Sequence, residues 1–186
     1  ALLDTKVQEP SLPTILIGHS YATTVILRYI HRTINSNTNI QGCILLGTAL
    51  RPGPLEMVNK GGGHPIMKLP VWVLRCLQKN LTEGFLKAGY HESADPALIE
   101  RSRLGCNQND MYMAKGHHTH HNWASVEETE TLAKRAIPSI VIHGKYDGVI
   151  PKEGGMHAAD ALRCKYVEID NASHQTMEER PEEVAT

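Results

Sequence analysis

The sequence predicts an α/β protein with a mostly parallel sheet flanked by helices and a helical cap inserted in its middle. Three observations lead to this fold class. Short apolar runs of strand length alternate with helical segments in both end portions of the chain. This alternation stops near residue 48 and resumes near residue 125. The turns after three of the predicted strands also carry residues of types that are used in catalysis.

The first part of the predicted core covers residues 1–47. The run PTILIG at 13–18 is short, apolar and rich in isoleucine, which predicts a buried strand. Apolar residues at helical spacing then predict a helix over 21–34. A polar cluster at 35–39 predicts a turn, and the apolar run IQGCILL at 40–46 predicts a second buried strand. Two such strands joined by one helix predict a right-handed βαβ crossover.

A helical cap is predicted over residues 48–124, where glycines and prolines break the α/β rhythm. Two apolar patches with helical spacing lie within it. The first patch contains Leu69, Trp72, Val73, Cys76 and Leu77, and the second contains Phe85 and Leu86. The stretch KGGGHP at 60–65 lacks the GK[ST] ending of a phosphate-binding loop, so we interpret it as a flexible hinge. We expect the cap to lie over one end of the sheet.

The second part of the predicted core covers residues 125–186. Acidic residues early and basic residues late predict a helix over 125–136, because this order suits the helix dipole. The next segments predict a strand, a helix and a strand, at 137–143, 153–162 and 165–169. Pro181 is followed by two glutamates, which predicts the first turn of a further helix.

Composition and charge exclude several classes of function. Of the 186 residues, 41% are hydrophobic, and the formal net charge of -1 gives no electrostatic case for binding nucleic acid or an anionic membrane. No apolar run approaches the roughly 18 residues of a membrane span. The cysteines are too far apart for a zinc site, and we interpret them as free, mostly buried thiols: Cys43, Cys76, Cys106 and Cys164. Free thiols favour a reducing compartment, so we expect a cytoplasmic or intracellular membrane-associated location.

The stretch GHSYA places Ser20 in a tight turn between the first strand and its helix. A serine nucleophile needs a base to take its proton, and its hydroxyl must stand clear of the backbone. A sharp strand–turn–helix achieves this only if the residues two before and two after are small, as Gly18 and Ala22 are. The turn also puts the Tyr21 amide at a helix start, where it can stabilise an oxyanion. The alternative is that Ser20 is an ordinary N-cap.

Two later turns supply the partners that a nucleophilic serine needs. Asp147 follows a predicted strand in IVIHGKYDGVIP, and His174 follows the next predicted strand in YVEIDNASHQ. Because the carboxyl ends of parallel strands meet at one edge of a sheet, we expect both side chains to lie beside Ser20. Each has a simpler alternative: Asp147 could form a turn beside Gly148, and His174 could be an exposed loop residue. The chain order Ser, Asp, His is that of one fold of serine hydrolases.

These motifs resemble those of the α/β-hydrolase superfamily over nearly the whole chain. GHSYA resembles its nucleophile elbow, HGKYDGVIP its acid loop and ASHQTMEERPEEV its histidine loop. The cap stretch KGGGHPIMKLPVWVLRCLQKNLTEGFLKAGY is similar to that of the eighth member of the animal α/β-hydrolase-domain-containing proteins. The resemblance implies a lipase- or esterase-like serine hydrolase in which Ser20 is the nucleophile, His174 the base and Asp147 its orienting acid. It also implies that the Tyr21 amide is one of two oxyanion donors.

The chain departs from the family pattern at three places. Ala22 stands where glycine is usual, and we expect the turn to tolerate it because alanine is small. The family has several strands before the elbow, with the second oxyanion donor among them, whereas only about a dozen residues precede the elbow strand here. The last predicted helix is cut short at Thr186. We therefore expect a fragment of a larger hydrolase.

The reaction that these residues predict is cleavage of an ester or thioester with an apolar acyl group, through an acyl-enzyme. We expect a small-molecule or lipid substrate, no cofactor, no metal and no nucleic acid, with peripheral membrane contact through the cap. Four cap residues could line an acyl pocket or form the core of the cap: Trp72, Leu74, Leu77 and Phe85. Two alternatives are an acyltransferase and a catalytically incomplete protein that binds a lipid or a partner.

The tract KGHHTHHNW is a second candidate site. It contains four histidines, and dense histidine tracts can bind a transition metal: His117, His118, His120 and His121. No acidic residue or cysteine nearby completes a metal site, so we favour the interpretation that the tract is a solvated loop of the cap.

Overall fold

Four strands form one sheet in the computed structural model, which describes residues 12–33, 39–51, 65–120 and 122–185. All neighbouring strands pair in parallel, in the order β1-β2-β3-β4. The bounds are Thr14–His19 for β1, Ile40–Leu46 for β2, Ser139–Gly144 for β3 and Lys165–Ile169 for β4. The sheet confirms the predicted fold class, and its strands lie within about two residues of their predicted bounds.

Eight α-helices flank these strands in the described part of the chain. They are α1 (Tyr21–Arg32), α2 (Val71–Gly89), α3 (Pro96–Asn107), α4 (Met111–His120), α5 (Val126–Lys134), α6 (Lys152–Leu162), α7 (Thr176–Glu179) and α8 (Pro181–Ala185). A 3-10 turn at Pro65–Lys68 precedes α2. Helix α5 begins directly after Ser125, because Ser125 and Glu128 form a reciprocal capping box there.

The main core lies between one face of the sheet and helices α1, α5 and α6. Its most deeply buried side chains come from both layers: Leu27, Ile30, Leu45, Leu132 and Val141. A smaller cluster covers the other face, where Leu46, Ile142 and Ile169 pack against residues of α7 and α8. Successive side chains in a strand therefore pack on opposite faces of the sheet, because side chains alternate in direction along a strand.

The prediction that the first strand is buried is wrong for one of its faces. Ile15 and Ile17 are 62% and 64% exposed, whereas the alternate residues Leu16 and Gly18 are buried. In the described sheet, β1 is an edge strand with α1 on one side. An apolar run predicts a strand but cannot show whether both of its faces are covered, and this is why the expectation failed.

The described part of the predicted cap range contains three α-helices rather than two short patches. A single helix, α2, contains both patches except Leu69, because an isolated asparagine and glycine between Leu77 and Phe85 do not end a helix. Helices α3 and α4 follow it, and neither was individually predicted. The division of the chain into core segments 1–47 and 125–186 and a cap over 48–124 stays a prediction.

Some expectations fall outside the described residues or need correction. Residues 34–38, the hinge residues 60–64 and His121 lie outside the described part of the chain. All four cysteines are free, but only Cys43 is buried, so the expectation of mostly buried thiols is wrong. Within the described ranges, we find no helix that combines the length and the apolar character needed to cross a bilayer.

The one-sided burial of the sheet edge predicts a contrast between two truncations. Leu45→Ala should lower the free energy of unfolding by about 2 to 5 kcal/mol, because it leaves a cavity in the main core. Ile17→Ala should cost less than about 1 kcal/mol, because that side chain is already mostly in water. Urea unfolding followed by circular dichroism measures both. Equal losses at the two positions would contradict the described burial of β1.

Candidate active site

Ser20 lies in the turn between β1 and α1 with φ 54° and ψ -127°. A positive φ is strained for a residue with a Cβ atom and persists only where the surroundings enforce it. Here the Ser20 amide donates to the Leu46 carbonyl at 2.8 Å, and the Ser20 carbonyl accepts from the Thr23 hydroxyl at 2.6 Å. The Ser20 side chain makes no capping hydrogen bond to α1, so the hydroxyl does not act as an ordinary N-cap.

The space around this turn explains why its flanking residues are small. A Cβ atom at Gly18 would lie 2.7 Å from Cδ1 of Ile26 and 3.1 Å from the carbonyl carbon of Ala22. The second of these contacts is with backbone, which cannot move aside without changing the turn. The predicted need for a very small residue at position 18 therefore has a direct steric basis.

Asp147 lies in the loop after β3 (residues 145–151) and is buried. Its Oδ1 accepts from the amides of Val149 and Ile150 at 2.9 and 2.8 Å, so it does form the turn that was its simpler interpretation. Its Oδ2 accepts from Nδ1 of His174 at 2.8 Å. Burial alone would raise the pKa of Asp147, but the imidazoles of His143 and His174 and the Ile150 amide outweigh burial and hold this pKa well below its usual range.

His174 lies in the loop after β4 (residues 170–175) and is 3% exposed, which excludes the exposed-loop alternative. Because Nδ1 donates to Asp147, Nε2 is the ring nitrogen that can face a nucleophile. Gly47, directly after β2, makes room for this ring. A Cβ atom at Gly47 would lie 3.2 Å from both Nδ1 and Cε1 of His174, and its φ of 55° also favours glycine.

His19, next to Ser20, joins the elbow to the histidine loop. Its Nε2 donates to the His174 carbonyl at 2.9 Å, and the two ring centroids are 4.6 Å apart. Burial and the neighbouring His174 lower the pKa of His19 to about 4, so His19 is neutral at physiological pH. Among the described residues, no hydrogen bond joins the Ser20 hydroxyl to His174. Such bonds are often long before substrate binds.

Tyr21 is the first residue of α1, directly after the candidate nucleophile. This is the position that the predicted oxyanion donor requires, and the role itself stays a prediction. The Tyr21 ring packs edge-on against His117 of α4, with ring centroids 4.9 Å apart. The cap therefore reaches the elbow through α4.

The C-terminal end of α2 is bonded to both loops of the candidate site. The Ala88 carbonyl accepts from the Gly148 amide at 3.0 Å and from the Ser173 hydroxyl at 2.7 Å. The Gly89 carbonyl accepts from the Gln175 amide at 3.1 Å. These partners are neighbours of Asp147 and His174 in sequence, so this end of α2 helps to fix the two loops that carry them.

Two adjacent glutamates at the end of α7 complete this attachment. The buried Glu179 accepts from the His91 amide at 2.6 Å through Oε1 and from the Ser173 amide at 2.8 Å through Oε2. The Tyr90 hydroxyl donates to Glu178 at 2.6 Å. Sequence reasoning missed both roles, because a glutamate in a short polar segment usually has a solvated carboxylate.

The predicted acyl-pocket residues occupy different parts of α2. Trp72 is 71% exposed and Phe85 is 36% exposed, whereas Leu74 is fully buried inside the cap. Leu77 is partly buried. Thirteen residues separate Trp72 from Phe85, which corresponds to about 20 Å along a helix. Phe85, near the end of α2 that contacts the loops, is therefore much closer to the candidate triad along this helix than Trp72 is.

The histidine tract is helical as far as His120, so its interpretation as a loop is wrong for that part, and His121 lies outside the described residues. His117, His118 and His120 lie in the last turns of α4. Their residue types are compatible with a helix, and the glycine at 116 did not end it. In the described ranges, no group of three histidine, cysteine or acidic side chains is arranged to hold a metal ion.

Two further histidines at the site were not identified from the sequence. His143 lies 3.2 Å from Oδ2 of Asp147, through Nε2. The sequence feature that could have indicated this role is the position of His143 as a polar residue at the end of the apolar run IPSIVIH. His19 was visible only as a neighbour of Ser20.

Comparisons with known proteins show what this chain is similar to. A family model described as serine aminopeptidase, S33, matches residues 2–181. Protein ABHD8 from Bos taurus is 26% identical over 187 residues, which cover 92% of this chain and 38% of that protein. The chain thus spans less than two fifths of the length of this curated relative.

Solved structures share the fold at low sequence identity. A bromoperoxidase from Bacillus anthracis superposes with a TM-score of 0.71 at 16% identity, covering 98% of this chain and 67% of that one. The esterase RhEst1 from Rhodococcus sp. ECU1013 superposes with a TM-score of 0.70 at 20% identity, covering 100% of this chain and 66% of that one.

The strain at the elbow predicts a difference between two substitutions of Ser20. Ser20→Gly should be more stable than Ser20→Ala by about 1 kcal/mol, because glycine adopts a positive φ without the steric cost of a Cβ atom. Urea unfolding of the two variants, side by side, measures the difference. Neither variant has a hydroxyl, so the comparison is independent of activity. A Ser20→Ala variant as stable as Ser20→Gly would contradict the strained turn.

Proposed function

Because the chain belongs to the α/β-hydrolase family of the serine aminopeptidase S33 model, we propose that it is a serine hydrolase acting on carboxylic esters or thioesters with an apolar acyl group. One observation carries the proposal. The buried, ionised Asp147 accepts from Nδ1 of His174 at 2.8 Å, and the His174 ring packs against His19, the residue directly before the strained turn at Ser20. An aspartate that orients a histidine in this way is the pair that a nucleophilic serine needs.

In the proposed reaction, Ser20 Oγ attacks the carbonyl carbon while Nε2 of His174 takes the hydroxyl proton. The carbonyl π electrons move to the oxygen, which the Tyr21 amide would stabilise. Asp147 stabilises the imidazolium that forms on His174. The proton then passes to the leaving oxygen or sulfur as its bond to carbon breaks, and an acyl-enzyme is left. Water repeats the sequence and releases the acid.

One alternative is a catalytically incomplete protein. The observation that supports it is the short length of the chain relative to its curated relative, not the arrangement of the candidate site. The chain spans 38% of its curated relative, so an oxyanion donor could lie in sequence that this chain does not include. Loss of one such donor costs about 10² to 10³ in rate. An acyltransferase would use the same residues with an acceptor other than water. These alternatives predict different outcomes for labelling and turnover.

Covalent labelling with a fluorophosphonate tests the proposed nucleophile. We expect the probe to label the chain at Ser20 and not to label Ser20→Ala. Asp147→Asn should slow labelling by up to about 10⁴, because the amide leaves His174 in the wrong tautomer. Mass spectrometry of the labelled peptide identifies the site. Labelling of Ser20→Ala at an unchanged rate would refute Ser20 as the nucleophile.

The same experiment should include a version extended to the length of the relatives. Labelling of the longer protein only would support the triad and assign an oxyanion donor to the added sequence. Turnover of p-nitrophenyl esters of increasing acyl length, beside aminoacyl p-nitroanilides, then separates an esterase from the aminopeptidase that the family description names. A preference for the anilides would replace the ester proposal.

Peripheral membrane contact through the cap is the second part of the proposal. Trp72 and Tyr112 are 71% and 64% exposed, and Arg75 lies over the Tyr112 ring at 5.5 Å. Trp72 precedes Arg75 by one helical turn, so the three side chains lie near one another. Aromatic side chains next to cations are typical of surfaces that bind the membrane interface.

Trp72→Ala should reduce binding to vesicles of phosphatidylcholine and phosphatidylserine several-fold, because the indole would no longer enter the interface. Leu104→Ala is a matched control, since Leu104 is 57% exposed on α3. Vesicle co-sedimentation measures the binding. Equal losses in the two variants, or no binding by the unmodified chain, would contradict a cap surface centred on Trp72.

A further inference from the structure

A second histidine contacts the candidate catalytic acid, and the proposed reaction does not use it. His143, in β3, is fully buried. Its Nε2 lies 2.9 Å from the Ile150 carbonyl oxygen and 3.2 Å from Oδ2 of Asp147. Oδ2 is the same oxygen that accepts from His174. Two imidazoles therefore meet at one carboxylate oxygen.

The surroundings of His143 determine which of its nitrogens carries hydrogen. Both neighbours of Nε2 are acceptors, so Nε2 carries the hydrogen and shares it between the Ile150 carbonyl and the Asp147 carboxylate. The buried Nδ1 has no hydrogen-bond partner in the described part of the chain. A proton on Nδ1 would be buried without an acceptor, which is costly.

A glycine on α6 makes room for this imidazole. A Cβ atom at Gly155 would lie 2.4 Å from Nδ1 of His143, well inside contact distance. The neighbouring Gly154 is less restricted, since its Cβ atom would come no closer than 3.3 Å to Ala49. His143 is therefore held against the acid loop by the helix behind it.

We propose that His143 is a positioning residue, whose Nε2–H orients the Asp147 carboxylate and draws negative charge away from Oδ2. The inference rests on the proposed function, because its effect is exerted on His174 through Asp147. With less charge on Oδ2, Asp147 stabilises the His174 imidazolium less strongly. Removal of the Nε2–H would return charge to Oδ2 and strengthen the interaction of Asp147 with His174 when the imidazole accepts the Ser20 proton.

The other ionisable groups around His143 do not supply this effect. The Tyr166 ring on β4 lies 6.5 Å from the imidazole, and burial with nearby carboxylates raises the pKa of Tyr166 to about 12, so it stays neutral. Glu168 is opposite His143 in the β3–β4 register and pairs with Lys152 of α6 at 3.1 Å. Glu153 of α6 also faces Tyr166. Asp147 is the one carboxylate within 4 Å of a His143 nitrogen in the described ranges.

Two substitutions separate hydrogen donation from packing. His143→Gln places an amide N–H near the position of Nε2, whereas His143→Phe keeps a ring and removes the donor. The pH dependence of the fluorophosphonate reaction rate is measured for both and for the unmodified chain. We expect His143→Phe to move the midpoint of the acid limb upward by about half a pH unit, and His143→Gln to stay near the unmodified value.

A packing role predicts the reverse order, with Phe closer to the unmodified chain than Gln, and that result would overturn the inference. Histidine-selective ¹⁵N NMR of the Ser20→Ala protein adds a measurement that needs neither activity nor a folded His143→Phe variant. We expect a hydrogen on Nε2 of His143 and none on Nδ1. The opposite tautomer would also overturn the inference. Failure of the unmodified chain to react would count against the proposed function instead, while the NMR result would still decide the contact.

Discussion

A carboxylate can stay ionised inside a protein only if donors replace the water it has lost, and Asp147 depends on this condition. Three N–H groups donate to it, and a fourth, on His143, is shared with a carbonyl. Those donors come from its own loop, from the end of β3 and from the loop after β4. The carboxylate thus joins the two loops, and the orientation of His174 follows from it.

The cap is part of the same arrangement rather than a separate lid. Carbonyls at the end of α2 accept from residues that flank Asp147 and His174, and Glu179 ties the next residues of the cap to the histidine loop. A shift of this end of α2 would therefore move Asp147 and His174 together. The opposite end, around Trp72, carries no such bonds to the loops in the described residues and can vary without disturbing them.

Much of the sheet was predictable because buried parallel strands are continuous apolar runs. The tight turn at Ser20 was predictable because the residues two before and two after it are small. The exposed side of Ile17 was not, since apolarity does not show what lies against it. The contact of His143 with Asp147 was not predictable either. It depends on how the loop after β3 folds back, which also places the Ile150 carbonyl beside the His143 ring. The helix at His117 was not predicted, because a tract rich in polar residues is compatible with either a solvated loop or a solvated helix.

The open edge of β1 has a consequence for how the isolated chain behaves in solution. Within the described ranges no strand pairs with the outer edge of β1. Backbone groups at such an edge, beside exposed isoleucines, are a template for strand addition, and natural sheets usually cover or charge such edges. Self-association of concentrated samples would begin at this strand. Since β1 ends at the turn that holds Ser20, a second chain added at this edge would lie next to that turn.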